Sequence, residues 1–229
     1  MINKLAVILN GSLVGHLAEN QGKIAFQYDE KWLSEGFDLS PGSLPFDARA
    51  NLAMRPVFDK LHGVFNDSLP DGWGLLLMDR SLKKFKGLDK HQITPLHRLA
   101  YMGTRCMGAL EYRPEILSAQ DDFAVDLSEI ARQSEKVLNG ETDEVLEALR
   151  LSGGSPGGAR PKVTVAFDQD FTHCVSGIHD LPIGYSNWIV KFRNDDRNGQ
   201  GDPGHIGKLE MAYAEMARAA GLEVPPTRL

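Results

Sequence analysis

At 229 residues, with 42% hydrophobic and 24% charged side chains, the chain has an ordinary globular composition and room for a sizeable core, which excludes disorder as its default. Its formal net charge of -6 argues against non-specific nucleic-acid binding, because displacing the counterions of phosphates needs a positive field. The only two cysteines, Cys106 and Cys174, lack the Cys/His spacing of a zinc site, so the sequence fits a reducing cytoplasm.

The first apolar run, LAVIL at residues 5–9, is too short for a signal-peptide core or a membrane span, and no later run is better suited. It reads instead as one arm of a hairpin. Asn10-Gly11 sits between two apolar runs and favours the positive φ angles of a type I′ turn. Ile24, Phe26 and Tyr28 then alternate with polar or small residues, which completes a small half-buried antiparallel sheet.

SPGSLPF, residues 40–46, predicts an ordered loop. Pro70 is expected in the first turn of the next helix, where its missing amide hydrogen costs nothing, and Leu75, Met78, Leu82 and Phe85 follow at helical spacing. Residues 80–98 carry the strongest basic patch and read as a solvated helix end. Residues 94–114 predict a short helix, a turn at Gly103 and a strand GALEY.

The acidic stretch 119–126 marks a boundary. Beyond it, Leu127, Ile130, Val137 and Leu138 share one helical face, and Val145, Leu146 and Leu149 share another. The loop SGGSPGGARP precedes two strands, KVTVAFD and SNWIVKF. A polar, glycine-rich loop leads to the clearest helix, with Leu209, Ala212, Tyr213, Met216 and Ala219 on one face, Gly221 as its C′ residue and Pro225 beyond.

The glycine-rich loop is the candidate site, because small residues let backbone N–H groups converge on phosphate oxygens. It is not a Walker loop. Lys162 follows Pro161, and the β-branched residues after it make a strand where that motif needs a helix facing the phosphates. The protein-kinase arrangement fits better: a glycine-rich loop covers ATP, a strand lysine holds the phosphates and a helical glutamate orients that lysine. Lys191 in NWIVKF and Glu210 in the last helix supply those parts in order. Alternation sets Ile189 and Lys191 on one face, opposite Trp188, Val190 and Phe192, and apolar neighbours should confine Lys191 and make an anionic partner necessary. Each part has a plainer use: the loop as a turn, Lys191 as an edge-strand solubility residue, and Glu210 as a complement to the helix dipole.

SPGGARPK, NWIVKF and KLEMAYAEMARAAGLEVPPTRL, with GVFNDSLPDGWG and PLHRLAYMGTRCMGALEY upstream, resemble the HipA family of serine/threonine protein kinase toxins. The resemblance implies an α+β fold in two parts: a β-rich N-terminal subdomain over residues 1–120, and a kinase N-lobe-like mixed sheet with helices over residues 121–229. It implies a type II toxin-antitoxin system, a HipB-like helix-turn-helix antitoxin as partner, DNA contact only through that antitoxin, and a protein substrate in the translation machinery, aminoacyl-tRNA synthetases among them.

Carried over by position, Ser155, Pro156, Gly157, Gly158, Ala159, Arg160 and Lys162 form the phosphate loop, Lys191 the ATP contact and Glu210 its helical partner. Ser155 matches the autophosphorylated serine, and its modification would add roughly two negative charges beside the ATP phosphates. The family's catalytic aspartate and magnesium ligands lie in a C-terminal lobe beyond Leu229. Asp195, Asp196 and Asp202 precede the last helix and do not match those positions. Hence no catalytic or metal-ligating residue is assigned, and the chain alone, a truncated member or a natural half, is expected not to transfer phosphate. The alternatives are a non-catalytic module that engages the antitoxin or a separate kinase subunit, and a simple anion-binding scaffold.

Overall fold

The computed structural model describes residues 2–53, 56–106, 108–116, 125–140, 157–158, 160–177, 181–193 and 204–229. Strands β1 (Lys4–Leu9), β2 (Ser12–Asn20), β3 (Lys23–Tyr28), β4 (Asn51–Leu52) and β5 (Leu110–Arg113) form an antiparallel sheet in the order β4-β3-β2-β1-β5. The turn at Asn10-Gly11 has φ angles of +48° and +75°, with Leu9 paired to Ser12, as a type I′ turn requires. Gln21-Gly22 repeats the geometry between β2 and β3.

Ile24, Phe26 and Tyr28 are buried, as their alternation predicts. They join Leu5, Val7, Leu17 and Tyr112 in a core closed by Leu96 and Leu99 of the helix α4 (Pro95–Met102). Two short helices, α1 (Glu30–Glu35) and α2 (Gly63–Asn66), fall between the strands of this sheet in sequence, α1 between β3 and β4 and α2 between β4 and β5. No described helix is long and apolar enough to cross a membrane.

Helix α3 (Gly72–Lys86) differs from expectation at both ends. Its N-cap is Asp71, in extended conformation, so Pro70 stands ahead of the cap and outside the first turn. At the far end Phe85 is 42% exposed, because the last turn runs past the core into solvent with Lys83, Lys84 and Lys86. The buried stripe is Trp73, Leu77, Met78 and Leu82. The basic stretch 80–98 also divides: the three lysines are solvated, whereas Arg98 turns inward to Asp79 through bonds of 3.0 and 3.1 Å.

The second sheet is antiparallel, in the order β7-β6-β8, built from β6 (Lys162–Phe167), β7 (Cys174–Ser176) and β8 (Ser186–Lys191). Ile130 and Val137 of α5 (Leu127–Leu138) pack with Val163 and Val165 of β6, and Leu127 and Leu138 are partly buried beside them, as predicted. Trp73 and Leu77 of α3 enter this same core. A helix that lies between β4 and β5 of the first sheet in sequence is therefore built into the second sheet's packing. The predicted face of Val145, Leu146 and Leu149 lies outside the described residues, as do residues 119–124 of the acidic stretch.

Helix α6 (Ile206–Ala219) ends as predicted, with Ala220 as C-cap and Gly221 beyond it at φ +83°. Its apolar stripe is uncovered: Leu209 and Met216 are exposed, and Tyr213 is 70% exposed. The whole is an α+β fold with two antiparallel sheets.

Candidate functional site

Of the loop residues, Gly157, Gly158, Arg160 and Lys162 are described; Ser155, Pro156 and Ala159 lie outside the described residues. Gly158 has φ +113°, and a Cβ there would come within 2.6 Å of Lys162 Nζ. A Cβ on Gly157 would come within 2.9 Å of the Asp71 carboxylate. Both positions are crowded in a way that only glycine permits without movement of a neighbour.

The turn is clasped to the start of α3. The Gly158 amide donates to Asp71 Oδ1, and the Trp73 amide donates back to the Gly158 carbonyl at 3.1 Å. The Trp73 indole Nε1 donates to the Lys162 carbonyl at 3.1 Å. Lys162 is 8% exposed, and its Nζ donates to the Gly157 carbonyl at 2.5 Å. This lysine therefore braces the loop from inside. Its backbone stands directly opposite Lys191 across β6 and β8.

Two like charges facing each other across strands are unfavourable unless each has its own partner. Here each does. Lys162 takes the Gly157 carbonyl, and Lys191 Nζ donates to Glu210 Oε2 of α6 at 2.7 Å. Arg160 approaches the other carboxylate oxygen of Glu210 at 3.9 Å. Glu210 thus gathers the end of the glycine-rich loop and the lysine strand at one point.

The alternation of β8 is as predicted, with Trp188, Val190 and Phe192 packed against the second core and Ile189 and Lys191 on the other face. The confinement of Lys191 by apolar neighbours is not: its side chain is 53% exposed. At an edge strand with solvent on that face, no burial forces the lysine to find an anion, and the contact with Glu210 is what orders it.

Asp71 and Trp73 were not singled out from sequence as site residues. The signal available was the DGWG run at residues 71–74, where an aspartate precedes a helix and a glycine lets chain approach the first turn. No group of three His, Cys, Asp or Glu side chains able to hold a metal comes together among the described residues. The residues that do come together are a glycine turn whose Gly158 amide is held by Asp71, and three cations, of which Lys162 is turned to the Gly157 carbonyl and Lys191 and Arg160 to Glu210.

The HipA N-terminal domain model matches residues 5–113, and the HipA-like C-terminal domain model matches residues 154–229. No curated protein matches the chain. Among solved structures, the chain is similar to one described as the toxin-antitoxin system HipA, HipB and its operator DNA complex of Shewanella oneidensis MR-1, with a TM-score of 0.57 at 18% identity. The likeness covers 98% of this chain and 47% of that one, so the chain spans about half the length of the protein it matches.

Proposed function

Because the chain belongs to the HipA family, we propose that it forms the N-terminal subdomain (residues 1–120) and the upper kinase lobe (residues 121–229) of a HipA-type serine/threonine kinase toxin. In this reading the upper lobe covers the phosphates of ATP. The observation that carries it is the convergence on Glu210 of Lys191 from β8 at 2.7 Å and Arg160 from the glycine-rich loop at 3.9 Å. A strand lysine, a helical glutamate and a glycine loop in contact are the parts by which a kinase upper lobe positions a triphosphate.

The residues fit a phosphate. Gly157 and Gly158 offer backbone with no Cβ in the way, Lys191 and Arg160 offer charge, and Lys162 holds the turn's shape through the Gly157 carbonyl. Bound ATP supplies the transferable phosphoryl group, and magnesium neutralises charge on it. As the resemblance to the family implies, magnesium ligands and the base that orients the acceptor hydroxyl would come from a C-terminal lobe. Ser155 is the proposed autophosphorylation point, and its phosphate would repel the nucleotide.

The test is calorimetric ATP binding with magnesium, with and without a supplied C-terminal lobe, followed by autophosphorylation in the same samples. Lys191→Ala should weaken ATP binding in the complemented protein. Equal affinity for Lys191→Ala and the parent protein would remove the kinase-lobe reading.

A second reading has its own support. The five-stranded sheet and its core close without the glycine loop, so residues 1–120 could serve as a docking module for a HipB-like antitoxin, through which alone the complex would meet DNA. Co-purification with the neighbouring helix-turn-helix protein tests it, and a monomer in that protein's presence would end it. Translation-machinery substrates and a cytoplasmic site of action complete the proposal, the latter in keeping with two unpaired cysteines.

A further inference from the structure

We infer that Asp71 is an internal anion that holds the glycine turn shut against α3, so that an incoming phosphate must displace it. The inference rests on the nucleotide reading above only for the identity of that phosphate.

An aspartate at an N-cap ordinarily accepts from the amides of its own helix's first turn. Asp71 is the N-cap of α3 and makes no such bond. Its carboxylate instead reaches 87 residues along the chain to the Gly158 amide. That amide is a backbone donor of the glycine turn, the kind of group on which a phosphate oxygen is held. A carboxylate on a backbone amide is a charge-assisted bond, of the same kind as the one a phosphate would make. The two anions therefore compete for one hydrogen.

The return bond makes this a clasp with two points. The Trp73 amide donates to the Gly158 carbonyl at 3.1 Å, so the peptide units on either side of Gly158 are both fixed to the first turn of α3. The absence of a Cβ on Gly157 is what lets the carboxylate come this close, at 2.9 Å from where that atom would stand. Asp71 is itself exposed. It can swing into water without leaving a buried charge behind, which a displaceable anion requires. Because α3 belongs to the segment matched by the HipA N-terminal domain, the clasp also places control of the loop in that half of the chain.

The experiment compares the full chain with its Asp71→Asn and Asp71→Ala variants. Hydrogen exchange at the Gly158 amide is followed without nucleotide, and binding of a fluorescent ATP analogue (mant-ATP with magnesium) is titrated with and without a supplied C-terminal lobe. Asn keeps an oxygen acceptor but no charge; Ala keeps neither. Exchange at Gly158 should quicken by about tenfold in Asp71→Ala, and mant-ATP affinity should rise by about the same factor, with Asp71→Asn between, the scale of one hydrogen bond to a charged group. Unchanged exchange at Gly158 overturns the clasp. Faster exchange with weaker or unchanged mant-ATP binding overturns the competition, and makes Asp71 a support for the bound loop. Faster exchange with no binding by any of the three proteins in either setting upholds the clasp and removes the nucleotide reading.

Discussion

The indole Nε1 of Trp73 donates to the carbonyl of Lys162 at 3.1 Å, joining the first turn of α3 to the first residue of β6 across 89 positions of chain. Trp73 is among the largest fully buried side chains and lies in the second core with Val163 and Val165. With Leu77 it makes α3, which lies between β4 and β5 of the first sheet in sequence, part of the second core.

Trp73→Ala should therefore cost about 3–5 kcal/mol, from lost transfer energy and the cavity left behind. Trp73→Phe keeps most of the apolar volume but orphans the Lys162 carbonyl, and should cost about 1–3 kcal/mol. Urea unfolding measures both. A Phe variant as unstable as the Ala variant would mean that the indole hydrogen bond, not packing, carries the contact.

Lys191 and Glu210 make a close ion pair whose side chains are 53% and 43% exposed. Exposed pairs are screened by water and contribute about 0.2–1 kcal/mol. Lys191→Ala and Glu210→Ala should each shift the urea midpoint only slightly, with a coupling in the double mutant inside that range. If either single variant unfolds at low urea, the pair is structural and any loss of ATP binding in it ceases to be informative.

Stability should peak near neutral pH and fall on both sides. Burial pushes the Cys106 thiol from 9.0 up to about 12, against the opposing charge of Arg105, and burial pushes Tyr112 well above 10.0 despite its hydroxyl bond with Ser68. The folded chain keeps these protons while the unfolded chain releases them, so stability falls as pH rises above about 9. Burial holds His62 and His97 below 6.5, so the unfolded chain takes up protons the folded one refuses, and stability also falls as pH drops through about 6.5. Urea midpoints at about pH 5.5, 7.5 and 10.5 check this; Cys106→Ala should reduce the alkaline loss.

What could be read from sequence was what short-range spacing encodes. Asn10-Gly11 fixed its turn, Ile24, Phe26 and Tyr28 fixed a buried face, and Gly221 ended α6, because each depends on neighbours within one turn or one strand. Lys191 and Glu210 were legible as a pair from the order of strand and helix, although their exposure was not. The clasp of Gly158 by Asp71 was not legible, since a contact between residues 87 apart leaves no periodic trace. The stripe of Leu209, Tyr213 and Met216 shows the other limit: spacing says which side chains share a face, not whether anything covers it.

The two glycines of the turn should respond unequally to alanine. At Gly158 the backbone sits at φ +113°, a region that costs about 1–3 kcal/mol for a residue with a Cβ, whatever the surrounding space. The added methyl would also press on Lys162 Nζ, 2.6 Å away, and loosen its bond to the Gly157 carbonyl. At Gly157 the clash is with the end of the exposed Asp71 side chain, which can turn aside. Gly158→Ala should therefore lower the urea midpoint more than Gly157→Ala, whereas Gly157→Ala should free the Gly158 amide to exchange as Asp71→Ala does. Matching midpoints for the two variants would mean that the loop yields as a whole, and that the left-handed turn at Gly158 is not what holds its shape.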